Sequence, residues 1–335
     1  MPFKKTFFAA VKLSLVAALF LFLAFRATQS SALSDVRFDA RGLAYLGLGF
    51  TLNLAATIVT IVRWRALVQA LDAPLSLVDA LRFGFLGFAF NLSPVGVVGG
   101  DATKVVLLAK KTSISAGLAT ASVVLDRFIG LYAMFVLGLG VAFASGFYAN
   151  PEPLARFTTQ GLIALSVAAT VFTFFVVYPA SGKRRRERLA GRCPLIGGPL
   201  RKATSAALLY QNRKRILVRA FVATLGVHAL FAASLYCFAR GLYDLTPSPI
   251  DHVVLYCSAN VGSMIPLSAG PFEYFLDELY PLFVIDGNDA FAKGYGATIG
   301  VVYRLATFGV AALGVAYYLT TKPGRARRRS ADCRN

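Results

Sequence analysis

Charged residues are scarce in this chain of 335 residues: they make up 15% of it, against roughly 25% in ordinary soluble domains. Hydrophobic residues account for 57% and gather in long runs. Runs of about 20 apolar residues have the length that a helix needs to cross a bilayer. The composition therefore excludes an ordinary soluble domain and predicts an all-α, polytopic transmembrane helical bundle.

Histidine and cysteine are also scarce, with two and four copies. His228 and His252 have no metal-ligand neighbours in the sequence, so we expect no metal site. Two of the cysteines lie in basic segments expected to face the reducing cytoplasm, and the other two lie in or near apolar segments, which argues against a disulfide framework. Without a Ser–His–acid set or a metal cluster, the sequence predicts no catalytic residue and no cofactor.

Acidic residues are the rarer charge: 16 Asp and Glu stand against 35 Lys and Arg, for a formal net charge of +19. In a soluble chain this excess would suggest nucleic acid. Here the basic residues lie between apolar runs, where anionic headgroups and the positive-inside rule account for them. We therefore expect membrane lipids as partners, with anionic headgroups at the basic cytoplasmic loops, and no nucleic acid. The sequence is compatible with a homodimer.

The long apolar runs predict six transmembrane spans. We favour an uncleaved first span over a cleaved signal peptide, because small residues match a cleavage site only loosely. Trp64, at the end of the second run, is expected to anchor at the membrane interface. The predicted spans cover residues 6–25, 42–64, 115–147, 158–178, 216–240 and 289–320.

Two further apolar stretches, residues 76–111 and 250–283, are interrupted by Pro and Gly near their middles. Each half is too short to cross, so we predict re-entrant segments made of two half-helices. With both segments re-entrant and both termini cytoplasmic, 23 Lys and Arg lie inside and six outside, as the positive-inside rule requires. The loop 181–215 and the tail 321–335 supply most of the inner charge. The two segments then enter from opposite sides.

The interrupted segments share a pattern that predicts an inverted repeat, over about 42–147 and 216–320. Each has an asparagine, a proline, an acid seven residues after that proline, and an arginine in the next long span. Many transporters have inverted repeats with a site where their broken helices meet. The matching residues are Asn91, Pro94, Asp101 and Arg127 in the first half, and Asn260, Pro266, Glu273 and Arg304 in the second.

Charges at membrane depth cost roughly 2.5–3.5 kcal/mol each, so they persist where they pair, face water or bind a ligand. Asp126 and Arg127 are neighbours about 100° apart on a helix and need partners elsewhere. We predict ion pairs between Asp101 and Arg127 and between Glu273 and Arg304. These pairs are either static links between hairpin and span or parts of a binding site.

The sequence Gly99-Gly100-Asp101 predicts the start of the second half-helix, with Asp101 as its N-cap. Backbone N–H groups, glycines and a nearby arginine suit an anionic headgroup, and Lys104 adds charge one turn later. The predicted substrate-binding and translocation residues are Asn91, Pro94, Gly99, Gly100, Asp101, Lys104, Asp126, Arg127, Asn260, Pro266, Gly270, Glu273 and Arg304.

These motifs resemble the lysylphosphatidylglycerol synthase transmembrane-region family across nearly the whole chain. The motif residues are Pro94, Gly99-Gly100-Asp101, Lys104, Asp126-Arg127 and Gly130, with Pro266, Gly270, Glu273 and Arg304 in the second half. The resemblance implies a flippase-like domain in a bacterial plasma (inner) membrane. The best-understood members add a soluble aminoacyl-transfer domain, so the resemblance implies a stand-alone member that does not make the lipid itself. Lys104 stands where Arg is commoner, which weakens a bidentate phosphate clamp.

We therefore expect a lipid translocase that moves a polar-headgroup lipid between leaflets, with an anionic or aminoacylated phospholipid or a glycolipid as substrate. Two alternatives remain open. A small-anion transporter or channel would share the site but use an aqueous pathway. A membrane enzyme acting on lipid-linked substrates would need a catalytic constellation, and the sequence has none.

Overall fold

The computed structural model describes residues 2–37, 39–93, 96–112, 114–177, 210, 213–262, 267, 269–285 and 289–322. This described part forms an all-α membrane bundle, as predicted. Most of the basic loop 181–215 and of the tail 321–335 lies outside it. The helices are α1 (Pro2–Gln29), α2 (Ala40–Gln69), α3 (Leu77–Asn91), α4 (Val97–Lys111), α5 (Ala116–Ala144), α6 (Pro153–Val177), α7 (Lys214–Leu242), α8 (Pro249–Gly262), α9 (Pro271–Leu279) and α10 (Tyr295–Thr320).

Five helices, α2, α5, α6, α7 and α10, are long and apolar enough to cross a membrane. The 26 residues of α10, for example, extend about 39 Å. Helix α1 is apolar in its later part, and the count of six spans stays a prediction. The last span was expected from residue 289, but α10 begins at Tyr295. Residues 289–290 instead form a short strand (β2, Asp289–Ala290) antiparallel to β1 (Val284–Ile285).

Each interrupted segment forms two short helices. Helices α3 and α4 have 15 residues each, while α8 and α9 have 14 and nine. Glycines allow the two arms of each hairpin to touch. A Cβ at Gly87 would lie 2.8 Å from Lys104 Cγ, and a Cβ at Gly262 would lie 3.0 Å from the Pro271 carbonyl oxygen. The depth and the side of entry of these hairpins stay predictions.

The two halves pack reciprocally around a central pair formed by α2 and α7. The first arm of each hairpin packs on the long helix of the other half, α3 on α10 and α8 on α5. The second arm packs within its own half, α4 on α5 and α9 on α10. Helix α6 lies against α5, and α1 lies against α10 and α9, so α1 has the position in the second half that α6 has in the first. The repeat boundaries stay a prediction.

The core is dominated by aromatic and aliphatic side chains between these helices. Phe238, Tyr256 and Tyr303 belong to its largest cluster. Trp64 belongs to a second cluster between α2, α3, α4 and α10, and it is fully buried. Its predicted role as an interfacial anchor is therefore wrong, because its ring is enclosed in this cluster and lies against Lys104 of α4 rather than facing lipid headgroups. The core fixes where the charged residues can lie.

Candidate functional site

The first hairpin is joined to a long helix by an ion pair. Asp101 on α4 accepts hydrogen bonds from Arg127 on α5, with Nη2–Oδ1 at 2.8 Å and Nε–Oδ1 and Nε–Oδ2 both at 3.1 Å. The predicted pair is confirmed. The two side chains are 24% and 39% exposed. A forked arginine–carboxylate contact that stays open to its surroundings can exchange one anionic partner for another.

The backbone around Asp101 differs from expectation. Helix α4 begins at residue 97 with Gly96 as its N-cap, at a φ of 66°, so Asp101 is the fifth helical residue and its predicted N-cap position is wrong. Gly99 lies in the first turn and its carbonyl accepts a hydrogen bond from the Thr103 hydroxyl at 2.8 Å. Gly100 is buried against the side chain of Asn91, where a Cβ would overlap it. Gly100 thus serves close packing of the hairpin arms.

The second hairpin carries the other predicted ion pair. Arg304 on α10 donates to Glu273 on α9, with Nε–Oε1 at 2.6 Å and Nη2–Oε2 at 3.3 Å. Glu273 also accepts the Gly270 N–H at 2.8 Å, which caps the start of α9. The pair is confirmed, but it is closed: the Glu273 side chain is 0% exposed and that of Arg304 15%. Leu19 of α1 lies directly against Gly270.

A third buried ion pair was not predicted. Arg63 on α2 donates to Asp126 on α5 at 2.9 Å and to the Thr224 hydroxyl on α7 at 2.6 Å. Arg63 lies at the end of the predicted span 42–64, where basic residues normally mark the membrane interface. Because α2 continues to Gln69, Arg63 lies within the bundle instead. The only signal for it in the sequence was that Asp126 lacked a partner.

Lys104 lies close to two of these ion pairs, Asp101–Arg127 and Arg63–Asp126. It is 7% exposed on α4, and its ammonium group lies 5.3 Å from the centre of the Trp64 ring. The charged side chains near it are Arg127, Asp126, Asp101 and Arg63. Within the described part of the chain, Lys104 makes neither a hydrogen bond nor an ion pair. It therefore contributes a positive charge that its surroundings do not neutralise directly.

The remaining predicted residues are placed as follows. Asn260 on α8 donates to the Tyr256 carbonyl at 2.9 Å, within its own helix. Pro94 and Pro266 lie outside the described residues. Gly270, Glu273 and Arg304 form the second group, at the second hairpin. The structure brings Asp101, Lys104, Asp126 and Arg127 together in the first group. Their roles in binding stay predictions.

A charged cluster fastens α1 to the second hairpin. Arg26 donates to Asp277 at 3.1 Å and to Glu278 at 2.6 Å, both on α9. Asp277 also accepts the Gly294 N–H at 2.6 Å, at the start of α10. Lys293 completes the cluster with a 2.8 Å contact to Glu278. These links were not predicted, because their residues lie near the predicted outer surface, where charges are expected.

Within the described residues, no group of three or more His, Cys, Asp or Glu side chains could hold a metal ion. No curated protein and no solved structure matches the chain. Residues 9–314 match the family described as Lysylphosphatidylglycerol synthase TM region. The match includes both hairpins and the ion pairs Asp101–Arg127, Glu273–Arg304 and Arg63–Asp126, and the family indicates a lipid-related function in a membrane. The chain belongs to the lysylphosphatidylglycerol synthase transmembrane-region family.

Proposed function

We propose that this protein is a lipid translocase, which moves a polar-headgroup lipid between the two leaflets without a chemical step. The substrate is an anionic or aminoacylated phospholipid or a glycolipid, and the site of action is a bacterial plasma membrane. Family membership supports a lipid-related role. The observation that carries the proposal is the open ion pair between Asp101 and Arg127.

An open ion pair inside an apolar bundle needs an explanation, because charges at membrane depth are costly. A structural ion pair can be enclosed when its geometry is good and further hydrogen bonds satisfy its atoms, and Arg63–Asp126 and Glu273–Arg304 are enclosed in this way. Asp101–Arg127 joins a short hairpin to a long helix while both side chains remain partly exposed. Arg127 can therefore exchange the carboxylate for an oxygen of a headgroup without first unpacking the core.

In this mechanism the headgroup passes along the charged groups while the acyl chains remain in the bilayer. Arg127 binds the anionic part of the head, and Asp101 either releases the arginine or binds a cationic part such as an amino group. The second pair, Glu273–Arg304, offers the same two charges at the second hairpin. A broken-helix site near the midplane is the arrangement found in many transporters with repeats.

The test is lipid exchange in reconstituted liposomes. Fluorescent anionic, zwitterionic and aminoacylated lipids are followed with a membrane-impermeant quencher. We expect exchange of at least one class with the wild-type protein and its loss in Arg127→Ala. Arg37→Ala is the matched control, because Arg37 forms an exposed surface pair with Asp244.

Two outcomes would contradict the proposal. Unchanged exchange in Arg127→Ala, with the variant shown to be folded, would exclude this arginine from the pathway. Flux of small anions without exchange of any lipid would favour the small-anion transporter.

A further inference from the structure

The charged residues around Lys104 do not balance. Three cations, Arg63, Lys104 and Arg127, face two carboxylates, Asp101 and Asp126. Each carboxylate already binds an arginine: Asp101 binds Arg127 at 2.8 Å, and Asp126 binds Arg63 at 2.9 Å. The described residues around this cluster therefore leave one positive charge without a counterion, and that charge belongs to Lys104.

The position of Lys104 makes this charge unusual. The side chain is almost fully buried, yet its ammonium group meets the face of the Trp64 ring rather than a carboxylate. A cation–π contact attracts the ammonium group but does not neutralise it. The stem of the side chain packs across Gly87, which holds it against the hairpin. An unpaired buried charge is strongly unfavourable, so it favours an anionic ligand.

The second half has no such imbalance. Glu273 and Arg304 are one acid and one base, and they bind each other. Three residues after the hairpin acid, where the first half has Lys104, the second half has Leu276, which is fully buried in the core. The residue before the arginine is Tyr303 in the second half and Asp126 in the first. The excess positive charge is therefore a feature of the first half alone.

We propose that Lys104 is a ligand for an ester phosphate that carries one negative charge, with Arg127 as the second ligand. This inference rests on the proposed function and names the part of the substrate that the first hairpin binds. One negative charge balances the excess of the cluster, and a phosphodiester bears that charge over two free oxygens. One oxygen suits the forked guanidinium group and the other suits the point charge of an ammonium group. The phosphate belongs either to a membrane phospholipid or to a soluble phosphodiester.

The chain supplies its own reporter for this binding. Trp64 is its single tryptophan, and the Lys104 ammonium group lies against its ring. A phosphate that draws Lys104 away from the ring, or packs beside it, changes the tryptophan emission. The full-length protein in a neutral detergent is titrated with phosphatidylglycerol, with diacylglycerol of the same chains, and with soluble glycerophosphoglycerol.

We expect a saturable change in emission with phosphatidylglycerol and none with diacylglycerol. Lys104→Met should weaken the binding about tenfold or more, as expected for loss of a charged hydrogen-bond donor. Lys104→Arg should keep most of the affinity. Lys110→Met, the same change at an exposed position of the same helix, should leave it unchanged. A response to glycerophosphoglycerol that depends on Lys104 would identify a free phosphodiester as sufficient, and its absence would assign the phosphate to a lipid.

Equal affinity of Lys104→Met and wild type, or an equal response to diacylglycerol, would overturn the proposal. Thermal unfolding of each variant shows whether it is folded, and Lys104→Arg keeps the test informative if the methionine variant is not. The titration needs no transport, so it is independent of the liposome assay. Exchange that persists while phosphate binding fails would refute this inference and leave the translocase standing.

Discussion

The two hairpins hold the same pair of charges in different surroundings. Asp101 and Arg127 are partly exposed, whereas Glu273 and Arg304 are enclosed. The difference arises from what covers each hairpin. Helix α1 packs on α9 and α10 in the second half, and its Leu19 lies against Gly270 at the start of α9. The pair in the second half is therefore enclosed beneath α1, whereas the pair in the first half stays partly exposed.

The helices behind the two pairs differ as well. In the first half, Arg63 extends from α2 to Asp126 and to Thr224 on α7. In the second half, Phe238 on α7 contacts Tyr303 and lies against α2 at Gly49, where a Cβ would be 2.8 Å from its ring. The same reciprocal position thus holds a charged network on one side and an aromatic one on the other.

The largest loss of folding stability is expected from replacing Arg63. Arg63→Met leaves Asp126 buried without its partner, which should destabilise the protein by about 3–5 kcal/mol. Thermal unfolding in detergent, followed by loss of the monodisperse species, measures it. Arg213→Met is the matched control, because its pair with Asp72 is exposed and should contribute at most about 1 kcal/mol.

A double variant sharpens this comparison. Arg63→Met combined with Asp126→Leu replaces the charged network by apolar packing of the kind that Phe238 and Tyr303 provide in the second half. It should recover much of the lost stability, since a buried ion pair is often no better than an apolar pair of similar volume. If Arg63→Met melts at the same temperature as Arg213→Met, then the pair has no structural role and the contrast between the halves is wrong.

Replacing the two hairpin arginines should have different consequences: a larger loss of stability for Arg304 and a loss of lipid exchange for Arg127. Arg304→Ala leaves the enclosed Glu273 with only the Gly270 N–H, and we expect a loss of about 3 kcal/mol. Arg127→Ala leaves a partly exposed Asp101 and should cost about 1 kcal/mol in stability while abolishing lipid exchange. Unfolding and exchange measured on the same preparations test this. Equal destabilisation by the two variants would contradict the assignment of one pair to structure and the other to binding.

The helices and the two interrupted segments could be predicted from the sequence, because long apolar runs and runs broken by Pro and Gly each fit few structures in a membrane. The lengths of the apolar runs indicate spanning helices, and Pro and Gly mark the two interruptions. The pairs Asp101–Arg127 and Glu273–Arg304 could be predicted because each segment offers few charges at depth. Local sequence contains nothing about the exchange of partners between halves, in which α3 packs on α10 and α8 on α5. That arrangement depends on contacts between residues far apart in the chain.

The predictions that were wrong placed the ends of α2 and the start of α4 at the wrong residues. Arg63 and Trp64 stand at the end of an apolar run, where basic and aromatic residues normally mark the membrane interface. The continuation of α2 to Gln69 moves both into the bundle. Asp101 was predicted as an N-cap because aspartate is a preferred cap. Gly96 takes that position instead, with a positive φ that favours glycine, and α4 gains a turn.

The glycine N-caps of α4 and α9, the second arms of the two hairpins, offer a smaller and sharper comparison. Gly96 and Gly270 both have positive φ, at 66° and 103°. A Cβ at Gly96 would meet nothing within 4 Å, whereas a Cβ at Gly270 would lie 2.5 Å from the side chain of Leu19. Gly96→Ala should therefore cost about 1 kcal/mol from backbone strain alone, and Gly270→Ala about 2–3 kcal/mol. Thermal unfolding measures both.

A second variant separates strain from overlap at Gly270. Adding Leu19→Ala to Gly270→Ala removes the overlap but not the strain, so part of the stability should return, less the packing that Leu19 itself provides. Equal costs for the two single variants would show that α1 does not press on the second hairpin. In that case the enclosure of Glu273 would need another explanation.

The smallest effect is expected from the link between α1 and α9. Arg26→Gln removes two ion contacts, but Asp277 keeps the Gly294 N–H and Glu278 keeps Lys293, so the loss of global stability should be about 1 kcal/mol. The local effect should be larger, because Arg26 holds α1 over the second hairpin. Hydrogen exchange in lipid nanodiscs should become faster in α9 while α4 keeps its wild-type rate. Unchanged exchange in α9 would mean that apolar packing alone closes the second hairpin. Faster exchange in both hairpins would mean that the two halves open together, so that the enclosed pair and the open pair are coupled states of one bundle rather than two independent sites.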